Sequence, residues 1–154
     1  MSDLKEGQNA PVFEGLDQDG KKISLADFKG RKVILYFYPR DNTPGCTKEA
    51  CNLRDNYNEL IKKGFAVIGV SPDSGKSHSG FISKYSLPFP LIADTGKEIL
   101  NLYGAYGQKM MYGKPVTGVL RTTFIIDEKG IIEKIIRKVD TANHAEQIYK
   151  LYTK

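Results

Sequence analysis

Two short apolar runs, residues 33–38 (VILYFY) and 65–71 (FAVIGVS), constrain this chain more than anything else in it. Both are nearly continuous and rich in β-branched and aromatic side chains, the pattern of strands covered on both faces. The stretch between them reads as a helix from about Thr43 to just before Gly64, with Leu53, Tyr57, Leu60 and Ile61 spaced by three or four on one face. Strand, helix and strand make a βαβ unit, which requires a layered α/β architecture.

The remaining elements extend that unit. Helical patterns near 76–85 and 97–103 follow turn-like Pro or Gly segments, and 122–126 and 131–136 flank Asp127-Glu128-Lys129-Gly130 as an antiparallel hairpin. A last helix is predicted over 143–152. Upstream, 12–16 and 22–24 around Asp19-Gly20 predict a small hairpin, followed by a short helix capped by Ser24. From Val33 onward the order is thioredoxin-like: an α/β fold with a mixed central β-sheet flanked by helices, here with an N-terminal hairpin extension. No repeat, low-complexity tract or linker interrupts the 154 residues, so 1–154 reads as a single domain.

The net charge of +5 comes from scattered pairs such as Lys21-Lys22, Lys62-Lys63 and Arg137-Lys138, which places it on a solvated face. A nucleic-acid site needs basic charge gathered into one patch, so no nucleic-acid partner is expected. The first seven residues carry Asp3, Lys5 and Glu6 and no apolar stretch, and no run approaches the ~18 residues of a membrane span. The expectation is a cytoplasmic protein with no membrane partner. Its two cysteines, Cys46 and Cys51, then sit where structural disulfides rarely persist, and they call for a chemical explanation.

Residues 39–46 (PRDNTPGC) run from the carboxyl end of the first core strand into a helix, the place where open α/β sheets bind ligands. Thr43 suits the N-cap and Pro44 the first helical position, which puts Cys46 in the first turn. Unpaired N–H groups and the helix dipole favour a thiolate there, and such settings lower a cysteine pKa from ~8.5 to between about 3.5 and 7.5. Position alone also fits an inert, buried cysteine. Cys51 lies five residues on, roughly 140° around and ~7.5 Å along an ideal helix. The implied Cα separation of about 8 to 9 Å exceeds the ~7 Å reach of a disulfide, so a bond requires local unwinding of the helix start. Cys51 is therefore either a small core residue or a thiol that resolves an oxidised Cys46.

Taken together, Pro39-x-x-x-Thr43-Pro44-x-Cys46 resembles the peroxidatic motif of peroxiredoxins, and the offset to Cys51 is similar to the Q-type, bacterioferritin-comigratory-protein-like branch. The resemblance covers nearly the whole chain, through Ser71-Pro72-Asp73, Lys84-Tyr85-x-Leu87-Pro88-Phe89 and the 121–127 segment (RTTFIID). It implies a cofactor-free thiol peroxidase. Cys46 reduces hydrogen peroxide or an organic hydroperoxide, Cys51 condenses with the resulting sulfenic acid, and thioredoxin or a similar dithiol protein resets the disulfide. It further implies that Pro39 shields the thiolate, that Thr43 hydrogen-bonds in the peroxide site and that Arg121 contacts both thiolate and substrate. The branch leans toward monomers.

Glu49, one turn after Cys46, either orients Arg121 or is a solvated helix charge. His78 and His144 fall on separate helices with no cysteine at metal-ligand spacing, and no metal is expected. Gly104-x-x-Gly107 lacks the pattern of a phosphate loop. The 104–118 segment departs from the branch: Tyr106 stands where Q-type relatives often carry tryptophan, and Met110, Met111 and Tyr112 read as a loop packed into the core or forming a lip over the site. Two rival activities share this fold. A thiol–disulfide oxidoreductase normally uses Cys-x-x-Cys, and a redox-sensing or chaperone-like module would react with peroxide once without being recycled.

Overall fold

A computed structural model describes residues 4–152; Asp3, invoked above for the polar start of the chain, lies outside them. The chain opens with the expected hairpin, β1 (Glu14–Leu16) and β2 (Lys22–Ser24), closed by Asp17, whose Oδ1 accepts the N–H groups of Asp19 and Lys21. A short 3-10 turn (Leu25–Phe28) follows. Next come β3 (Lys32–Phe37), α1 (Pro44–Asp55), α2 (Tyr57–Lys62), β4 (Phe65–Ser71), α3 (Gly75–Tyr85), β5 (Leu91–Ala93) and α4 (Glu98–Leu102). The chain then forms β6 (Tyr106–Met111), β7 (Lys114–Val119), β8 (Thr122–Ile126), β9 (Ile132–Ile136) and α5 (His144–Lys150).

Five strands form the central sheet in the order β5-β4-β3-β8-β9, with β3, β4 and β5 parallel and β8 and β9 antiparallel. Leu35 at the middle of β3 lies opposite Ile68 on one side and Phe124 on the other. Being central and covered on both faces, β3 and β4 are buried almost throughout, which accounts for their unbroken apolar runs. Alternate residues of β3 enter different cores. Val33, Leu35 and Phe37 pack with Phe13, Ile99, Leu100 and Tyr103, whereas Ile34, Tyr36 and Tyr38 pack with Ala50, Leu53, Leu60, Phe81 and Ile148.

Three elements differ from the sequence expectation. The single helix predicted over 43–64 is two helices, broken at Asn56, whose side-chain amide donates to Asn52 O at 2.9 Å. An asparagine amide that bonds its own helix backbone offers the chain a local alternative to continuing. The strand β5 went unpredicted because three residues behind Pro88 and Pro90 give no periodicity to read. The 104–118 segment is a hairpin rather than a loop. Its turn places Tyr112 and Gly113 at φ 53° and 77°, the left-handed pair that a two-residue hairpin turn demands. Gly107, Gly118 and Pro115 obscured its strands. Tyr106 packs against the core, whereas Met110 and Tyr112 are exposed and do not fill it; the side chain of Met111 lies outside the described set.

Candidate active site

The segment leaving β3 is tied down before it reaches the helix. Asp41 is buried; it accepts hydrogen bonds from Tyr38 (2.6 Å) and Ser77 (2.7 Å) and pairs with His78 Nδ1 at 2.7 Å, while its own N–H donates to Asp73 Oδ2. His78 Nε2 donates to Ile92 O at 2.9 Å, so the loop is fastened through α3 to β5. Asn42 takes a left-handed φ of 61°, which asparagine tolerates, and its Oδ1 accepts from Lys84 and Tyr85. Asp41, Asp73 and His78 offer ligand atoms within 4.8 Å of one another, but both ring nitrogens of His78 are already engaged by protein groups.

Pro44 opens α1 as expected, and Cys46 is the third residue of its first turn, 1% exposed. Thr43 holds the extended N-cap backbone, yet its hydroxyl does not cap the helix. It donates instead to Arg40 O at 2.9 Å, closing the loop on itself. Cys51 is half-buried on the same helix, and both cysteines are free thiols.

Arg121, just ahead of β8, is brought to the helix start. Its Nη2 donates to Cys46 Sγ at 3.3 Å and its Nη1 to Glu49 Oε1 at 2.7 Å. Gly45 makes the approach possible, because a Cβ there would stand 3.2 Å from Nη2. Pro39 and Arg121 also line an open cleft of about 500 Å³, together with Lys109, Leu120 and Arg137. The structure thus gathers Cys46, Arg121, Pro39 and Thr43 at one end of the sheet, with Cys51 farther along α1.

Two residues that sequence reasoning left aside complete the arrangement. Glu49 is fully buried, not a solvated helix charge, and burial pushes its carboxyl up to about 7 against the opposing pull of the Arg121 guanidinium. The only hint was its place one turn from Cys46. His144, at the start of α5, is also fully buried, and burial chiefly holds its imidazole down at about 4. It stands beside α1 because Asn52 Oδ1 accepts Ala145 N–H at 2.7 Å and Asn52 Nδ2 donates to Ala142 O. No local pattern links residues so far apart in sequence. A thiol held at a helix N-terminus against a fixed guanidinium can act as a nucleophile toward a bond that leaves negative charge on the departing atom.

The chain is similar to known proteins over nearly its whole length. A family model described as the AhpC/TSA family matches residues 7–135. A protein of Escherichia coli K12 named peroxiredoxin Bcp is 42% identical over 148 residues, spanning 96% of this chain and 95% of the relative. Among solved structures, a cysteine-to-serine variant of Xylella fastidiosa PrxQ superposes with a TM-score of 0.90 at 30% identity, covering 99% and 98% of the two chains. Xanthomonas campestris bacterioferritin comigratory protein, solved to study its alkyl peroxide reduction activity, gives 0.87 at 32% identity over 96% of each.

Proposed function

The chain belongs to the AhpC/TSA family, as a peroxiredoxin of the Bcp kind and hence a thiol-dependent peroxidase, and on that premise we propose that Cys46 attacks the peroxide, Cys51 resolves it and Arg121 stabilises the charge that moves between them. The observation that carries this assignment is the 3.3 Å hydrogen bond from Arg121 to the Cys46 sulfur in the first turn of α1.

In the first step the Cys46 thiolate attacks the terminal peroxide oxygen. The S–O bond forms as the O–O bond breaks, Cys46 becomes a sulfenic acid, and the departing alkoxide or hydroxide takes up a proton. Charge grows on the leaving oxygen, so a guanidinium already fixed in place favours the transition state over the ground state. Glu49 provides that fixing by holding the second nitrogen. Thr43 Oγ1 spends its proton on Arg40 O, which leaves its lone pairs to accept the peroxide O–H. Pro39, on the cleft wall, shields the thiolate from water. In the second step α1 unwinds at its start and the Cys51 thiolate attacks the sulfenic sulfur. The S–S bond forms, the S–O bond breaks, and the released hydroxide is protonated to water.

A thioredoxin-like dithiol protein then returns both cysteines to thiols by two exchanges. The whole chain acts as one cytoplasmic domain and as a monomer on this reading, with no nucleic-acid or membrane partner. No helix among the described residues is long and apolar enough to cross a membrane.

The test is rapid mixing of the reduced protein with a slight excess of hydrogen peroxide, followed by mass analysis of both cysteines. Consumption far faster than by a free thiol, ending in a Cys46–Cys51 disulfide, is the expected result. Cys46→Ser abolishes turnover, whereas Cys51→Ser leaves the first peroxide reaction nearly intact. Loss of that first reaction in Cys51→Ser would overturn the division of roles.

A further inference from the structure

Among the described residues the Glu49 side chain makes one hydrogen bond. Its Oε1 takes the Arg121 proton, but Oε2 is buried without a hydrogen-bond partner, and the atom facing it is His144 Nε2 at 3.6 Å. Whether that nitrogen carries a proton is fixed from the far side of the ring. Gln147 Nε2 donates to Lys138 O at 2.8 Å, so its Oε1 is the atom turned toward Asp140 N–H and His144 Nδ1, both at 2.9 Å. An amide oxygen only accepts, so His144 Nδ1 bears the hydrogen. Neutral His144 therefore meets Glu49 with an Nε2 lone pair, which accepts the Thr123 hydroxyl proton at 2.8 Å.

We propose, resting on the peroxidase reading above, that His144 is a positioning residue for the peroxide step: set by Gln147 as the Nδ1–H tautomer, it withholds a proton from Glu49 Oε2, keeps Glu49 able to take one up, and so leaves the full Arg121 charge to Cys46. The other ionisable groups around the pair work in the same sense or stand aside. Tyr36 on β3 lies close enough for a Glu49 carboxylate to disfavour its anion, but burial chiefly keeps Tyr36 neutral, and at Glu49 the Arg121 guanidinium is the charge that opposes burial. Asp140 faces His144 and favours its protonation, but burial outweighs it. With Glu49 protonated, the guanidinium is not shared with a carboxylate. Once Glu49 ionises, the same charge is divided between two anions.

The experiment measures the rate constant of the first peroxide reaction against pH, from about pH 5 to 9, for the wild type, Gln147→Leu, His144→Gln and His144→Phe. Nitrogen-15 shifts of the His144 ring report the tautomer alongside. Gln147→Leu touches none of Cys46, Arg121 or Glu49, but it frees His144 to carry its proton on Nε2, and His144→Gln offers Glu49 an amide donor directly. Both are expected to move the inflection at about 7 down by about one pH unit or more. The rate near pH 6 then falls several-fold and the rate above about pH 8 is unchanged. His144→Phe supplies no donor and keeps the inflection at about 7 or above. The proposal is overturned if wild-type His144 is the Nε2–H tautomer, or if all three variants lower the rate by one factor at every pH. A wild type reacting no faster than a free thiol overturns the peroxidase reading itself, whatever the tautomer shows.

Discussion

Replacing Glu49 by glutamine gives the sharpest stability test of the buried pair. Glu49 titrates at about 7 in the folded chain against an ordinary 4.5. The folded state thus holds a proton that the unfolded state releases, and this contribution is complete below 4.5 and lost as pH rises through about 7. His144 is the reverse case, about 4 in the fold against 6.5, so its contribution is present above 6.5 and lost as pH falls toward about 4. Between about 4.5 and 6.5 the two slopes oppose each other, and the pair is nearly silent to pH. At about 1.4 kcal/mol per pH unit, each group alone is worth about 3 kcal/mol across its window. Glu49→Gln removes one arm, so its stability relative to the parent rises by about 3 kcal/mol between pH 4.5 and 7. Urea unfolding at a series of pH values, in a Cys46→Ser background that keeps the thiol out of the titration, reads this difference directly. A difference that stays flat across the window would mean that Glu49 is ionised throughout and that Arg121 outweighs burial, which would refute the reasoning.

Arg121→Lys can keep one of the two contacts made to Cys46 and Glu49 but not both, and slows the peroxide step about a hundredfold, read by rapid mixing. Gly45→Ala pushes a methyl against Arg121 Nη2, so the same assay shows about a tenfold loss while thermal unfolding shows no loss of stability, alanine being the better helix former. Asp41→Asn breaks a fully engaged buried acceptor at a cost of about 3 kcal/mol, and hydrogen exchange rises first in residues 38–43.

The sheet was legible because its central strands are buried on both faces and write that fact as unbroken apolar runs. Cys46 was legible for a local reason as well, since Thr43-Pro44 marks a helix start in any context. Arg121 could be named through its motif, but its contact with Cys46 bridges 75 residues and belongs to the sheet topology. The partners behind it were hidden for the same reason. Whether Glu49 faces water or the interior depends on where α5 lies, and Asn52 sets that through two hydrogen bonds to backbone atoms about 90 residues away. Local pattern failed most at the 106–119 hairpin, where exposure on both sides removes the alternation by which a strand is recognised.

Cys46 is located much as a surveyor fixes a point from two baselines. The strand that delivers its loop is seated by Val33, Leu35 and Phe37 on one side and by Ile34, Tyr36 and Tyr38 on the other, and β8, which Arg121 immediately precedes, is divided in the same way between Phe124 and Ile125. Each core thus seats both strands from one face, and a fault in either disturbs that seating while the other face still holds. The chain then remains folded while thiol and guanidinium drift out of register, so damage in either interior surfaces as lost turnover well before it surfaces as lost structure.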